Sequence, residues 1–221
     1  MNYHVEFDLE FTKNPYKGKL IVLEGLDASG KTTQVKLLAE ELIKRGKKIY
    51  LTKNPTREGE IGNLIHRILQ REVKIPPVAI QYLYTADRET QQEEIKEHLK
   101  NGEIVIMDRY FWSSVPYGLA DLKDLSLEKD AKIIAVAQSL LSQYHKFIIP
   151  DYTFYLSIGV DEAMQRLGKM SKIKEIYEEK EVIERVKMGY DWLLKEFKNE
   201  ITVINGEQDM NRITEEILNH I

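Results

Sequence analysis

The chain contains no cysteine at all. Disulfides, iron–sulfur clusters and thiolate zinc sites are therefore excluded. Only six prolines and two tryptophans are present. No Pro/Gly-rich linker, repeat or low-complexity tract divides the 221 residues, so one domain with a substantial core is expected. No apolar run approaches the ~20 residues that cross a bilayer, and no membrane contact is expected. Met1 to Glu10 is polar and mixed in charge, unlike a secretory leader, which points to the cytoplasm. The net charge is −4, with no basic stripe, so nucleic acid is not an expected partner. The five histidines are scattered and read as surface or packing residues.

What the chain does have is alternation of short apolar runs with helical periodicity. Leu20–Glu24, Lys48–Thr52, Ile104–Met107, Thr153–Ser157 and Ile201–Ile204 read as strands. Ile104–Met107 is apolar at every position, as in a parallel strand buried on both faces. Lys31–Lys44, with Val35, Leu38 and Leu42 on one face, reads as a helix stopped by Gly46. Helices are also expected over Ile61–Gln70, Pro77–Lys100, Leu127–Tyr144 and Glu181–Phe197. Asp161 and Asp209 are expected to cap two more. The pattern predicts an α/β fold: a five-stranded parallel sheet with helices on both faces. Residues 19–221 form the domain, and residues 1–18 an extension that is either an extra strand or an ordered arm. Ligands in such folds sit beyond the carboxyl ends of the strands.

At the first such end, Gly25-Leu26-Asp27-Ala28-Ser29-Gly30-Lys31-Thr32 matches G-x-x-x-x-G-K-[ST]. The glycines let backbone N–H groups turn toward phosphates, and the helix that follows adds its positive end. Lys31 suits the β and γ phosphates. The Thr32 hydroxyl suits Mg²⁺, and Thr33 extends the ATP-binding set. Asp108, which ends the Ile104–Met107 run, is placed like a carboxylate that holds Mg²⁺ directly or through water. Arg109 follows it, with a planar fork able to straddle two phosphates. A phosphate acceptor is already nucleophilic at neutral pH, so no general base is demanded.

Further motifs carry a family resemblance. Leu23-Glu24-Gly25-Leu26-Asp27, Ala86-Asp87-Arg88, Gly102 to Tyr110, Ser113-Ser114 with Tyr117, and Pro150 to Ala163 occur in this order. Together they resemble the thymidylate kinase family from Lys19 to the C-terminus. The resemblance implies ATP-dependent phosphorylation of thymidine monophosphate, a nucleoside monophosphate kinase fold with a short mobile lid over about residues 168–176, and a homodimer. It implies roles for Asp27 near the acceptor phosphate and sugar, Arg88 and Tyr84 at the base, Ser114 facing the base, and Tyr117 against the sugar 2′ position. With Lys31, Arg109 and Asp27 as the catalytic group, it also implies that a cation at Lys53 meets the acceptor phosphate.

Three departures stand out. The family's Thr-Arg-Glu-Pro-Gly reads Thr52-Lys53-Asn54-Pro55-Thr56, leaving Lys53, or Arg57 nearby, for the acceptor phosphate. The lid offers Lys169, Lys172 and Lys174 where arginines are usual. Pro116 replaces a small residue. Two alternatives stay open. A deoxynucleoside kinase would need a strand-end carboxylate base, and Lys53-Asn54 fills that slot. A catalytically impaired nucleotide-binding regulator would be consistent with the altered Thr-Lys-Asn-Pro segment.

Overall fold

The computed structural model describes residues 10–121, 129–170 and 175–221. Five parallel strands form one sheet: β1 (Lys19–Gly25), β2 (Ile49–Lys53), β3 (Ile104–Asp108), β4 (Tyr152–Ser157) and β5 (Thr202–Asn205), in the order β2-β3-β1-β4-β5. Alternate residues of β1 feed different cores. Leu20 and Val22 join one apolar cluster, Ile21 and Leu23 the other. That period of two is what a strand covered on both faces requires. On one face lie α1 (Lys31–Lys44) and α9 (Met210–His220), which contribute Val35, Leu38, Leu42, Ile213 and Ile217. The opposite cluster gathers α2 (Glu60–Leu69), α3 (Pro77–Thr90), α4 (Gln92–Lys100), α5 (Ser114–Ala120), α6 (Lys129–Leu141) and α8 (Lys180–Glu196). The expected α/β architecture is borne out.

Register then sets the site. Leu23 on β1 and Lys53 on β2 both pair with Asp108 on β3. Three strand ends therefore deliver the phosphate loop, Lys53 and Asp108-Arg109 to one rim of the sheet.

Two expectations are corrected. The single helix over Pro77–Lys100 is two, α3 and α4, broken at Gln91. The Gln91 amide donates to the Arg88 carbonyl at 3.3 Å, a three-residue step. The Thr90 hydroxyl takes the Asp87 carbonyl at 2.8 Å and the Gln92 amide takes that of Arg88 at 3.0 Å. Side chains that bond nearby carbonyls compete with the helix ladder. The Gln91 side chain itself is drawn to Thr52 and Asn54, at 2.7 and 2.6 Å. Second, Asp161 does not cap the helix after β4. That helix, α7 (Val160–Met170), already includes Asp161, whose carboxylate faces solvent and pairs with Lys180 at 2.7 Å. Glu207 instead accepts from the Gly159 amide, at 2.7 Å. Asp209 does cap α9, accepting from the Asn211 amide at 2.9 Å. Of the helix expected over Leu127–Tyr144, residues 127 and 128 lie outside the described residues, and Ser142–Tyr144 tightens into a 3₁₀ turn.

Residues 10–18 are an ordered arm. Thr12 makes a single parallel bridge to Ile148, and Phe11 stacks on Phe111 with ring centres 5.3 Å apart. Asp151 ties the arm to the sheet, accepting from the Asn14 amide at 2.6 Å and the Leu20 N–H at 2.8 Å. Gly18 is obligatory there, because a Cβ would sit 2.3 Å from the Glu103 carbonyl oxygen.

Candidate active site

The phosphate loop turns directly from β1 into α1. At Gly25 a Cβ would meet Ser29 Oγ at 2.6 Å and the Leu156 carbonyl at 2.8 Å. Gly30, at φ 99°, has open space around it and is needed for its left-handed backbone. It precedes α1 with no capping side chain and no acidic residue in the first turn. Those N–H groups remain free for an anion. Lys31 is buried, its ammonium donating to the carbonyls of Leu26 at 2.6 Å and Gly25 at 3.2 Å, and to Ser29 Oγ at 3.3 Å. Burial, with Arg109 nearby, lowers its pKa to about 8 against the pull of Asp108, Asp27 and Glu24. The Thr32 hydroxyl meets Asp108 at 2.5 Å.

Arg109 occupies the centre. Its backbone is left-handed, φ 70°, which is rare for a side chain of this size. Such strain persists only where the surroundings over-determine it, and here they do. Its N–H donates to the Leu23 carbonyl at 2.9 Å. Its guanidinium donates to Asp27 at 2.5 Å, the Tyr190 hydroxyl at 3.0 Å and Ser113 at 3.2 Å, and lies 5.0 Å over the Tyr117 ring. Burial opposes its charge, but Tyr117, Asp27, Tyr190 and Glu24 hold it firmly protonated. Asp27, half-buried, also accepts from the Tyr117 hydroxyl at 2.9 Å. Burial would raise its pKa, yet Arg109 and Lys31 outweigh that and lower it.

Behind this pair sits the glutamate of the Leu23-Glu24-Gly25 motif. Glu24 is buried and accepts from the Tyr110 N–H at 2.9 Å, Ser113 at 2.6 Å and Tyr190 at 2.8 Å. It thus orients both hydroxyls that hold Arg109. Tyr190, from α8, carried no sequence signal beyond its amphipathic spacing.

The loop after β2 is fixed through Asp87. Its carboxylate accepts from Thr56 N–H at 2.9 Å, Thr56 Oγ1 at 2.5 Å and Asn54 at 3.3 Å. Lys53 and Arg57 consequently face the same cleft as Arg109. Lys53, half-buried, has its pKa lowered by burial and by the neighbouring arginines, with Asp108 pulling the other way. His66, expected to be a surface or packing residue, also lines the cleft and bonds the Thr56 carbonyl at 3.0 Å.

At the far end, Arg88 lies 5.7 Å over the Tyr84 ring and 5.5 Å over that of Tyr144, and donates to the Tyr144 hydroxyl at 2.9 Å. Ser114 meets the same hydroxyl at 2.9 Å. Tyr177 closes the side, edge-on to Tyr117 at 5.0 Å and donating to Asp121 at 3.0 Å. The cleft between has a volume of about 950 Å³, the size of a small-molecule site. Its other end runs past the phosphate loop to Gly206, Gln208 and Met210. There Arg166 on α7 donates to the Gly206 carbonyl at 3.2 Å and reaches the Ala28 carbonyl at 3.5 Å. An arginine therefore does approach the phosphate loop, from α7. Lys169 is exposed and lines the cleft. Lys172 and Lys174 lie outside the described residues.

Residues 23–217 match the family model described as thymidylate kinase. The chain belongs to the thymidylate kinase family. The thymidylate kinase of Thermoanaerobacter sp. (strain X514) is 34% identical over 91% of this chain and 96% of its own length. That of Caldanaerobacter subterraneus subsp. tengcongensis is 36% identical, over 88% of this chain and 90% of its own length. A solved thymidylate kinase from Candida albicans, described as having broad substrate specificity, superposes with a TM-score of 0.77 at 28% identity, over 92% of this chain and 91% of its own.

Within this thymidylate kinase fold, Asp121 supplies a measurable pH signature. Burial pushes its carboxyl up to about 6, against the hydrogen bonds from Gln81 and Tyr177 and the charge of Arg185. The folded protein therefore binds the proton more tightly than the unfolded chain, whose carboxyl titrates near ~3.9. This contribution to stability is complete below that value, is lost as pH rises through about 6, and stays lost above it. Asp121→Asn should raise the melting temperature at pH 7.5 by a few degrees and remove this loss from the pH profile. Gln81 can turn its unpartnered Oε1 to accept from the new amide. A lower melting temperature at pH 7.5 would show that the carboxylate's hydrogen bonds outweigh its desolvation.

Proposed function

We infer that this kinase transfers the γ-phosphoryl group of ATP to thymidine monophosphate, giving thymidine diphosphate. The observation that carries the reading is Arg109. A part-buried, permanently charged fork stands between the phosphate loop and the pocket of Tyr84, Arg88, Ser114 and Tyr117. Phosphoryl transfer needs alignment and charge neutralisation more than covalent help. In the free protein Asp27 occupies one arm of that fork and stands in for phosphate oxygens. Lys31 likewise spends its protons on loop carbonyls, and phosphate is the stronger partner for both cations. The N–H groups of residues 25–33 cradle the donor phosphates. Adenine fits the end bounded by Arg166, Gly206 and Gln208.

Thr32 and Asp108 present two hard oxygens 2.5 Å apart. No cluster of three metal-ligating side chains exists among the described residues. A cation here would take its remaining ligands from phosphates and water, which suits Mg²⁺. When bound, it neutralises charge on the donor phosphates.

Lys53 and Arg57 flank the acceptor phosphate, and Lys169 covers the donor side. Tyr84 and Arg88 hold the base. The Tyr117 ring bars a 2′-hydroxyl by shape. The end of β2, where a nucleoside kinase would need its carboxylate base, carries Lys53 and Asn54 instead. A coupled assay over nucleosides and monophosphates tests the reading. Turnover of thymidine but not its monophosphate would sink it, and equal turnover of the ribose and deoxyribose forms would remove Tyr117 from the discriminating role.

The kinase acts in the cytoplasm as a homodimer joined through α3, where Val78 and Tyr82 are each 63% exposed, one helical turn apart. Tyr82→Glu should halve the mass measured by light scattering. An unchanged mass would move the interface elsewhere.

A further inference from the structure

The base end of the pocket contains a group that no motif announced. Tyr144 is fully buried, and its hydroxyl is met at 2.9 Å by each of Arg88, Ser114 and Thr85. A phenol has one hydrogen to give and two lone pairs to receive. The neighbours decide how they are used. Arg88 can only donate. Thr85 has one hydrogen and faces two pure acceptors, the Gln81 carbonyl at 3.1 Å and Gln143 Oε1 at 2.9 Å. The Gln143 amide nitrogen is turned away to the Ser139 carbonyl at 3.1 Å, which fixes Oε1 toward Thr85. The Thr85 hydrogen is thus committed, and its oxygen must accept from Tyr144. Both lone pairs of Tyr144 then receive Arg88 and Ser114. The only hydrogen on Ser114 is consumed, and its oxygen is left able only to accept.

We propose that Tyr144 is a specificity-determining residue that fixes the hydrogen-bond polarity of the base site. Arg88 presents a donor and Ser114 an acceptor, side by side at the wall of the cleft. Arg88 Nε is buried without a partner. A pyrimidine with a carbonyl at position 4 and an N–H at position 3 complements that order. Cytosine presents an amino group and a bare ring nitrogen at the same places, and opposes two donors or two acceptors at each. A site built around buried hydrogen bonds rejects a mismatched ligand strongly, because its own groups are left unpaired.

This inference rests on the thymidine monophosphate reading, so the wild-type kinase is measured first. Failure to phosphorylate thymidine monophosphate there would sink that reading, not this one. Steady-state kinetics with thymidine and deoxycytidine monophosphates are then compared for Tyr144→Phe and Thr85→Val. In Tyr144→Phe the Ser114 hydrogen is released to face the base. The ratio of kcat/KM for the two monophosphates should fall about tenfold or more, through KM for thymidine monophosphate, with KM for ATP unchanged. Thr85→Val does not touch the base. It removes the acceptor for the Tyr144 hydrogen, which turns to Ser114 and frees the serine proton, so the ratio should move in the same direction. Equal losses on both monophosphates, with the ratio intact, would overturn the proposal as mere packing damage. Should Tyr144→Phe fail to fold, the near-isosteric Thr85→Val decides, and an unchanged ratio there overturns it.

Discussion

Arg109→Ala is expected to lower kcat by roughly 10²–10³-fold, the scale for removing a preorganised donor from a charged transition state. The guanidinium is held by Asp27, Ser113 and Tyr190, on a backbone at φ 70°. It therefore reaches the transition state with little reorganisation. Arg109→Lys should recover little, since a lysine offers a point charge without the fork. The fall should lie in kcat more than in KM, because the bridged charge is greatest while the phosphoryl group is in flight. A loss below about tenfold would remove Arg109 from the catalytic group.

The second large effect is at Lys31, and it separates activity from stability. Lys31→Met should reduce kcat/KM for ATP by about 10²–10³-fold, yet leave the nucleotide-free protein as stable as before or more so. Lys31 is buried at 6% exposure, its ammonium hydrogen-bonded to two carbonyls and a hydroxyl, and burial outweighs the pull of Asp108, Asp27 and Glu24 on its charge. Holding a charge there costs free energy that methionine does not incur, while methionine fills a similar volume. The cost is recovered only when phosphates arrive. Thermal unfolding without nucleotide, alongside kinetics, checks both halves. A drop in melting temperature of more than about 4 °C, near 1 kcal/mol or more for a chain of this size, would show that the loop depends structurally on the lysine.

Both predictions trace to motifs with local chemistry. The phosphate loop was legible because glycine is required at fixed places: Gly25 by contact, Gly30 by backbone angle. Asp108-Arg109 was legible because a run of apolar residues implies a buried strand, and its end implies the rim of the sheet. The broken helix was not legible. Nothing in the spacing of Pro77–Lys100 reveals that Thr90, Gln91 and Gln92 will spend their side chains on carbonyls and on the loop after β2. Asp161 failed as a cap because the helix begins one residue earlier, at Val160, and takes Asp161 into its first turn.

What the residue order determined by itself was the alternation of strands and helices, the phosphate cradle and the strand-end arginine. Each depends on contacts within a few residues or on a periodicity that burial enforces. What only the folded chain decided was the set of partners that aim those groups. Tyr190 grips Arg109 and is itself held by Glu24, 166 positions away. Arg166 reaches the phosphate loop from α7, and Tyr144 fixes the hydrogens of Arg88 and Ser114. Hydrogen-bond polarity and charge compensation are pairwise properties of groups brought together by the sheet, and no single segment of sequence contains them.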